Sequence, residues 1–207
     1  MELEIHDLIK WFEITNERIQ QHKDYLTGLD QPIGDGDHGI NMARGYQEAV
    51  TKLSQAEYQE PSEVLRDASM ALLSKVGGAS GPLYGTAFLK MSLAVKGLET
   101  INAASLVNGL SAALLGIKQR GKAEAGEKTL VDVWGPVVDY ISSEESNLRA
   151  EDLTSQARMA MERTKEMMAT KGRASYFKEK SIGHIDPGSA SSYYVFASLA
   201  EVWKEKT

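Results

Sequence analysis

Apolar residues recur along this chain at the spacings of an α-helix, and this pattern constrains the fold more than any other feature. Ile5, Leu8, Ile9, Phe12 and Ile19 are separated by three, four and seven residues, which places them on one helical face. The strict alternation of apolar and polar residues that is typical of half-buried strands is not convincing anywhere in the chain. The sequence therefore predicts an all-α protein.

The same periodicity predicts eight helices. They are expected at residues 5–19, 40–58, from Pro61 onward, from Pro82 onward, 103–117, 130–141, 153–168 and 189–203. The sequence Asp186-Pro187-Gly188 is a turn signature, and Ser189 is expected to cap the last helix after it. Four loops of unusual chemistry are predicted between the helices, at residues 28–41, 77–81, 121–129 and 172–188.

Composition restricts the class of protein. A chain of 207 residues with 42% hydrophobic residues is expected to form one domain spanning residues 1–207. Its formal net charge of −6, with no cluster of Lys and Arg, argues against nucleic acid as a partner. The absence of cysteine excludes disulfides and thiolate chemistry and favours the cytoplasm. The acidic N-terminus lacks the pattern of a signal peptide. The uncharged run 100–117 contains several polar residues, which argues against a membrane span, so a soluble protein is expected.

The first of the four predicted loops, residues 28–41, combines several negative charges with a glycine-rich, flexible backbone. Asp30, Asp35 and Asp37 lie within eight residues and repel one another unless a cation joins them. Carboxylate oxygens suit Mg²⁺, which proteins commonly hold with a few carboxylates and the phosphates of a substrate. His38 and Asn41 open the next predicted helix, whose N-terminal amides would suit an anion. The loop is therefore either a metal–phosphate site or a solvated turn.

Three common motifs fail on these loops. Gly34, Gly36 and Gly39 satisfy G-x-G-x-x-G, but no strand precedes them, and aspartates would repel a pyrophosphate. An EF-hand loop starting at Asp30 would lack side-chain oxygens at its third and fifth positions. The segment from Gly121 to Thr129 misses the P-loop pattern by one inserted residue and also lacks a preceding strand.

The remaining loops contain further candidates. The small residues of GGASG (77–81) would either let a phosphate or a ring approach the backbone or let two helices pack closely. Arg173 could pair with phosphate in bidentate fashion, or it could be a surface charge. His184 is more simply read as a hydrogen-bonded structural histidine than as a ligand or base.

Four motifs in this order carry a resemblance. The segments GDGDHGINM, GGASGPLYGT, GKAEAGEKTLVD and GRASY…SIGHIDPGSAS together resemble the nucleotide-binding (L) subunits of phosphotransferase-dependent dihydroxyacetone kinases. The same module forms the nucleotide-binding domain of the ATP-dependent dihydroxyacetone kinases. The resemblance covers nearly the whole chain and implies an eight-helix antiparallel barrel with the nucleotide site at one end.

The resemblance also implies site residues and cofactors. Asp30, Asp35 and Asp37 would hold two Mg²⁺ ions that bridge the phosphates of ADP or ATP. The residues implied to contact the nucleotide are His38, Gly39, Ile40, Asn41, Ala79, Ser80, Gly121, Leu130, Arg173, Asp186, Pro187 and Gly188. No acid or base is implied in this chain, and Arg173 is the candidate for stabilising charge on the phosphoryl group.

In this family, tightly bound ADP is phosphorylated by a phosphohistidine protein (the M subunit). The resulting ATP passes its phosphoryl group to dihydroxyacetone held on the K subunit. The resemblance thus implies a multi-subunit kinase with K and M subunits as partners and with no nucleic acid or membrane as partner. Whether the chain also forms a homodimer is left open. Two alternatives remain open: an ATP-dependent kinase subunit with exchangeable nucleotide, and a regulatory nucleotide-binding coactivator module.

Overall fold

The computed structural model describes residues 2–144 and 147–206. Within these residues it contains nine α-helices, two short strands and two 3₁₀ segments. The helices are α1 Ile5–Gln21, α2 Lys23–Asp30, α3 His38–Leu53, α4 Pro61–Lys75, α5 Ser80–Ala94, α6 Ala103–Gly121, α7 Val131–Ser143, α8 Ala150–Arg163 and α9 Pro187–Lys204. The strands β1 Glu2–Leu3 and β2 Ile101–Asn102 form one antiparallel pair, and the 3₁₀ segments are Thr164–Glu166 and Arg173–Ser181.

Eight of the helices form a closed ring. Each of α3 to α8 packs against the next helix in the chain, α1 packs against α3, and α9 returns to pack between α8 and α1. Successive members run antiparallel, through short connections between α4 and α8 and a longer one between α8 and α9. The short helix α2 lies outside this ring and packs on α3 and α9. The structure therefore confirms the all-α fold, with one helix more than the eight expected.

Aromatic side chains fill the inside of the ring. Phe12 and Phe88 meet edge to face with centroids 4.8 Å apart, and Trp134 and Phe196 meet in the same way at 4.8 Å. Trp11 also contacts both Phe12 and Phe88. Such rings each bury a large apolar area, so the barrel interior is a packed core that holds the helix ends in fixed positions.

Several predicted boundaries were wrong. Residues 28–30, expected in a loop, complete α2, because Leu26 anchors that short helix in the core. Helix α5 begins at Ser80 rather than at Pro82, which lies within its first turn. The cap of α9 is Asp186, not Ser189: its carboxylate accepts a hydrogen bond from the Ser189 amide at 2.7 Å.

The antiparallel ring places the starts of α3, α5, α7 and α9 at the same end. The residues at these four starts line one cleft together with the acidic loop. Helix N-termini carry unpaired N–H groups and partial positive charge. This end of the barrel therefore offers both carboxylates and amide donors. Within the part of the chain that is described, no helix is long and apolar enough to cross a membrane.

Candidate functional site

The three aspartates of the acidic loop converge. One carboxylate oxygen from each of Asp30, Asp35 and Asp37 lies within 4.8 Å of the others, and all three residues line the cleft. Such a spacing of hard oxygen ligands suits a divalent cation. Three carboxylates this close would otherwise destabilise one another.

Asp30 also organises the loop. Its carboxylate oxygen Oδ2 accepts hydrogen bonds from the backbone amides of Asp37, at 3.0 Å, and His38, at 3.2 Å. It thereby occupies the amides at the start of α3, while Gly36 allows the turn with its positive φ of 70°. The loop 31–37 is thus folded back on the end of α2, which holds the three carboxylates together.

The opposite side of the cleft is formed by the start of α5. Gly77, Gly78, Ala79 and Ser80 line the cleft and precede or open the helix. A side chain at Gly77 would collide with Asn41, since an added Cβ would lie 2.7 Å from Asn41 Oδ1. Glycine at this position therefore allows the two segments to approach closely. The amides that follow, at the start of α5, are suited to binding a phosphate.

His38 lies buried between two serines. Its Nδ1 is 3.2 Å from Ser80 Oγ, and its Nε2 is 2.9 Å from Ser191 Oγ on α9. Burial lowers the pKa of His38 to about 4, although Asp37 and a hydrogen bond to the Pro187 carbonyl act in the opposite direction. His38 is therefore neutral at physiological pH and can act as a hydrogen-bonding group rather than as a cation.

Below His38 the polar chain continues into the core. Tyr84 OH lies 2.8 Å from Ser191 Oγ and 2.7 Å from Ser192 Oγ, and it is 3.1 Å from the carbonyl oxygen of Gly188, to which it can donate. The indole N–H of Trp134 donates to Ser192 Oγ. This network fixes the first turn of α9 against α5 and α7, and a satisfied buried network of this kind is rigid.

Arg173 reaches the acidic loop from the other side. Its Nη1 lies 2.9 Å from Asp35 Oδ2. Arg173 belongs to the segment between α8 and α9, which we call the capping segment (residues 164–186) because several of its residues line the cleft. The guanidinium side chain is 63% exposed, so it remains accessible to an anion in the cleft.

A second, mainly apolar cleft adjoins the first. Ala79, Leu83 and Leu130 line both of them, and Gly121 lies in the second cleft together with Pro82 and Ile117. Gly121 packs against Leu83, whose Cδ2 would lie 3.2 Å from an added Cβ. A polar, charged cleft that opens into an apolar one matches the phosphate and base ends of a nucleotide in chemical character.

The structure thus brings most of the predicted site residues together. The three aspartates lie in the polar cleft with the predicted contacts His38, Asn41, Ala79, Ser80, Leu130, Arg173, Asp186, Pro187 and Gly188. Gly121 lines the apolar cleft. Gly39 and Ile40 line neither: Gly39 is packed beneath α2, and Ile40 is 52% exposed at the barrel end.

Sequence reasoning missed three contributors. Lys128 and Lys171 both line the polar cleft, and Lys128 is only 1% exposed. Asp132 stabilises the loop before α7 by accepting from the amides of Gly126, at 2.5 Å, and Thr129, at 2.7 Å. In the sequence, Lys128 appears only in the incomplete P-loop pattern, and nothing in the spacing of Lys171 or Asp132 marks a role for them.

Known proteins resemble this chain in sequence and in fold. The family described as the DAK2 domain matches residues 32–201. The chain is 50% identical over 194 residues to the ADP-binding subunit DhaL of PEP-dependent dihydroxyacetone kinase 1 from Listeria innocua, covering 93% of this chain and 94% of the relative. It is 45% identical over 200 residues to the ADP-binding subunit DhaL of PTS-dependent dihydroxyacetone kinase from Lactococcus lactis, covering 97% and 98%.

A solved structure shows the same architecture. The dihydroxyacetone kinase from C. freundii in complex with AMP-PNP and Mg²⁺ superposes with a TM-score of 0.74 at 22% identity. The match covers 97% of this chain but 34% of that longer one, so the chain corresponds to about a third of it. The family match spans most of the chain and both bacterial relatives align with it almost end to end, which shows that this protein belongs to the DAK2 domain family.

Proposed function

We propose that this protein is the nucleotide-binding subunit of a dihydroxyacetone kinase that depends on a phosphotransferase system. In this proposal residues 1–207 act as one domain, which retains ADP with two Mg²⁺ ions. The bound nucleotide would accept a phosphoryl group from a phosphohistidine protein and, as ATP, donate it to dihydroxyacetone on a second subunit. The names of the two bacterial relatives, each aligned over nearly its whole length, support this assignment.

One observation supports the proposal most directly. Three carboxylate oxygens lie within 4.8 Å of one another, in a cleft that is also lined by the starts of four helices and by part of the capping segment. Carboxylates prefer a cation as ligand, whereas helix N-termini prefer an anion. A metal–phosphate group satisfies both, because the cation meets the carboxylates and the phosphate oxygens meet the amides.

Charge balance favours two metal ions. The three aspartates contribute a charge of −3, and the phosphates of ADP add about −3 at neutral pH. Two Mg²⁺ ions largely offset this total, whereas a single ion would leave strong repulsion in a partly buried site. Asp30, Asp35 and Asp37 are the residues that would hold these ions, and the donor set consists of the hard oxygens that Mg²⁺ prefers.

The chain's own groups would position the phosphates. The amides at the start of α5 and the hydroxyl of Ser80 face the cleft, and Arg173 could move from Asp35 to a phosphate oxygen. Phosphoryl transfer needs positioning and neutralisation of charge more than covalent help from the protein. This chemistry requires no acid or base from this chain, and His38 would serve as a neutral hydrogen-bonding neighbour.

The partner subunits would dock at the open end of the barrel. Tyr176, which is 84% exposed, and Ile182 lie on the capping segment, other residues of which line the cleft. Exposed apolar side chains near a site are typical of contact surfaces. We place the K and M subunits at this end, in the cytoplasm. Light scattering of the ADP-loaded protein tests whether it also forms a homodimer.

The first experiment identifies what the purified protein carries. The protein is purified without added nucleotide and denatured, and the released material is identified by chromatography. Near-stoichiometric ADP that is lost on prolonged EDTA treatment supports the proposal. An empty protein that binds ATP and ADP weakly and reversibly favours the ATP-dependent or regulatory alternative. No binding in the presence of Mg²⁺ contradicts the proposed site.

A further inference from the structure

Lys128 is a buried cation that contacts both ends of the capping segment. Its side chain is 1% exposed, although lysine is one of the residues least often buried. The residue follows α6 in the loop before α7, and its own backbone adopts a positive φ of 60°. A left-handed lysine with a buried ammonium costs free energy, so the contacts of this side chain must offset that cost.

The ammonium is held entirely by backbone carbonyls. Lys128 Nζ donates to the carbonyl oxygens of Thr164 at 2.6 Å, Met167 at 3.1 Å and His184 at 2.5 Å. These three acceptors match the three N–H donors of a protonated lysine, whereas a neutral amine has only two. Burial lowers the pKa of Lys128, and the nearby carboxylates of Asp186 and Asp132 oppose this shift. The number of acceptors therefore indicates the charged form.

The three carbonyls belong to the two ends of one loop. Thr164 and Met167 begin the capping segment, and His184 lies near its end. The two ends also bond directly, because the Gly183 amide donates to the Lys165 carbonyl at 2.8 Å and the Asp186 amide donates to Thr164 Oγ1 at 3.1 Å. These contacts form a closed neck between the two ends of the segment, and the Lys128 side chain fills that neck.

Arg173 is carried by the loop that this neck closes. Beyond the neck, the Thr170 amide donates to the Glu127 carbonyl at 3.3 Å, next to Lys128 in sequence. Arg173 then extends to Asp35 across the cleft. The position of the guanidinium therefore depends on a loop whose base is fixed by Lys128.

We propose that Lys128 is a positioning residue that holds the capping segment, and with it Arg173, over the nucleotide site. The effect on nucleotide rests on the proposed function, but the effect on the segment does not. Removing the ammonium leaves the partly buried carbonyls of Met167 and His184 without this donor, and the Thr164 carbonyl keeps only the Met167 amide. This loss favours opening of the neck. An open segment would place Arg173 away from the phosphates and shorten the residence time of ADP.

Limited proteolysis tests the hold on the segment without any ligand. The segment contains five sites for trypsin, at Lys165, Lys171, Arg173, Lys178 and Lys180. Lys128→Met should speed cleavage within residues 164–186 of the nucleotide-free protein by at least about tenfold, because cleavage follows the population of the open form. Lys128→Gln, which keeps two N–H donors, should give an intermediate rate. Cleavage at the wild-type rate in both variants would overturn the proposal.

The matched control is Lys122→Met. Lys122 is also a lysine with positive φ, at 49°, but it is exposed at the end of α6. This variant should leave the tryptic pattern of residues 164–186 unchanged. Faster cleavage there would show that the loss of any lysine in this region loosens the segment. That outcome would contradict a specific role for Lys128.

A double-mutant cycle tests the link to Arg173. Dissociation of fluorescent ADP is measured in wild type, Lys128→Met, Arg173→Ala and the double variant with Mg²⁺ present. If Lys128 acts by placing Arg173, the double variant should release ADP within about twofold of Lys128→Met alone. If the double variant instead multiplies the increases in ADP dissociation rate of the two single variants, Lys128 acts independently of Arg173 and the proposal fails. If wild type binds no ADP, the proposed function fails while the tryptic test still decides whether Lys128 holds the segment.

Discussion

Arg173 Nη1 lies 2.9 Å from Asp35 Oδ2, so the only arginine that lines the polar cleft among the described residues is paired with a proposed metal ligand. Both side chains are partly exposed, and such pairs contribute little to stability. Their proximity matters for a different reason. A cation at Asp35 would compete with Arg173 for the carboxylate, which would free the guanidinium for a phosphate oxygen.

Arg173→Ala should therefore separate stability from nucleotide binding. We expect the free energy of unfolding to change by less than about 1 kcal/mol, because the ion pair is solvated. Retention of ADP should weaken by a few kcal/mol at most, as expected for one charged contact. Urea unfolding and ADP titration measure the two quantities. Arg66→Ala removes an exposed contact with Asp67, and neither residue lines the cleft. It should leave ADP retention unchanged and change the free energy of unfolding by less than about 1 kcal/mol.

Asp35→Asn and Asp37→Asn should each abolish Mg²⁺-dependent retention of nucleotide. Each substitution removes one anionic ligand while keeping the size of the side chain, so the helical content should remain as in wild type. Chromatography of released nucleotide and circular dichroism check both statements. Asp139→Asn, on the exposed face of α7, serves as the control and should retain nucleotide. Full retention in the first two variants would contradict the metal assignment.

Gly39→Ala should destabilise the protein through packing at the start of α3. An added Cβ would lie 2.0 Å from the Lys23 carbonyl oxygen and 2.8 Å from the Thr27 amide, both of which are backbone atoms of α2. We expect a loss of roughly 2–3 kcal/mol in the free energy of unfolding, the size typical of overpacking. Gly28→Ala, in α2 with no atom within 4 Å of the added Cβ, should instead stabilise by about 0.5–1 kcal/mol. Equal effects of the two substitutions would count against this reading.

Asp186→Asn should remove a pH dependence of the free energy of unfolding. Burial raises the pKa of Asp186 from 3.8 to about 6, although the hydrogen bonds from Ser189 and the charge of Lys128 oppose this shift. The folded state therefore binds the proton more tightly than the unfolded state. The stability that this group contributes is complete below about pH 4 and is lost as the pH rises through about 6. The loss corresponds to at most roughly 3 kcal/mol.

Asparagine stays neutral and can still accept the capping hydrogen bond from Ser189. Urea unfolding in EDTA without nucleotide, at several values of pH from 4 to 7, gives the difference in unfolding free energy between wild type and variant. That difference should shift in favour of the variant as the pH rises. A difference that does not change with pH would show that Asp186 ionises normally in the folded protein.

The parts of the fold that sequence could predict are those set by local patterns. Apolar periodicity predicted every helix of the ring, and the acidic loop was identified because like charges on neighbouring residues need a cation. The short helix α2 was missed because Gly28 interrupts its pattern, whereas the burial of Leu26 in the tertiary structure stabilises it. The β1–β2 pair has two residues per strand, too few for any alternation to be visible.

The role of Lys128 was out of reach for a different reason. Its three acceptors are backbone carbonyls at residues 164, 167 and 184, and a carbonyl leaves no mark on the sequence. The cap of α9 was misplaced by three residues because Asp186 and Ser189 are both good caps and only the observed dihedrals decide between them. Contacts that depend on backbone groups brought together by the fold cannot be read from residue types.

The closure of the ring by α9 also sets the order in which the site can be built during synthesis. His38 emerges from the ribosome early, but its partner Ser191 and the turn at Asp186 belong to the last helix. The same helix supplies the contacts that join α8 to α1. The nascent chain therefore cannot assemble a complete cleft until α9 has been translated.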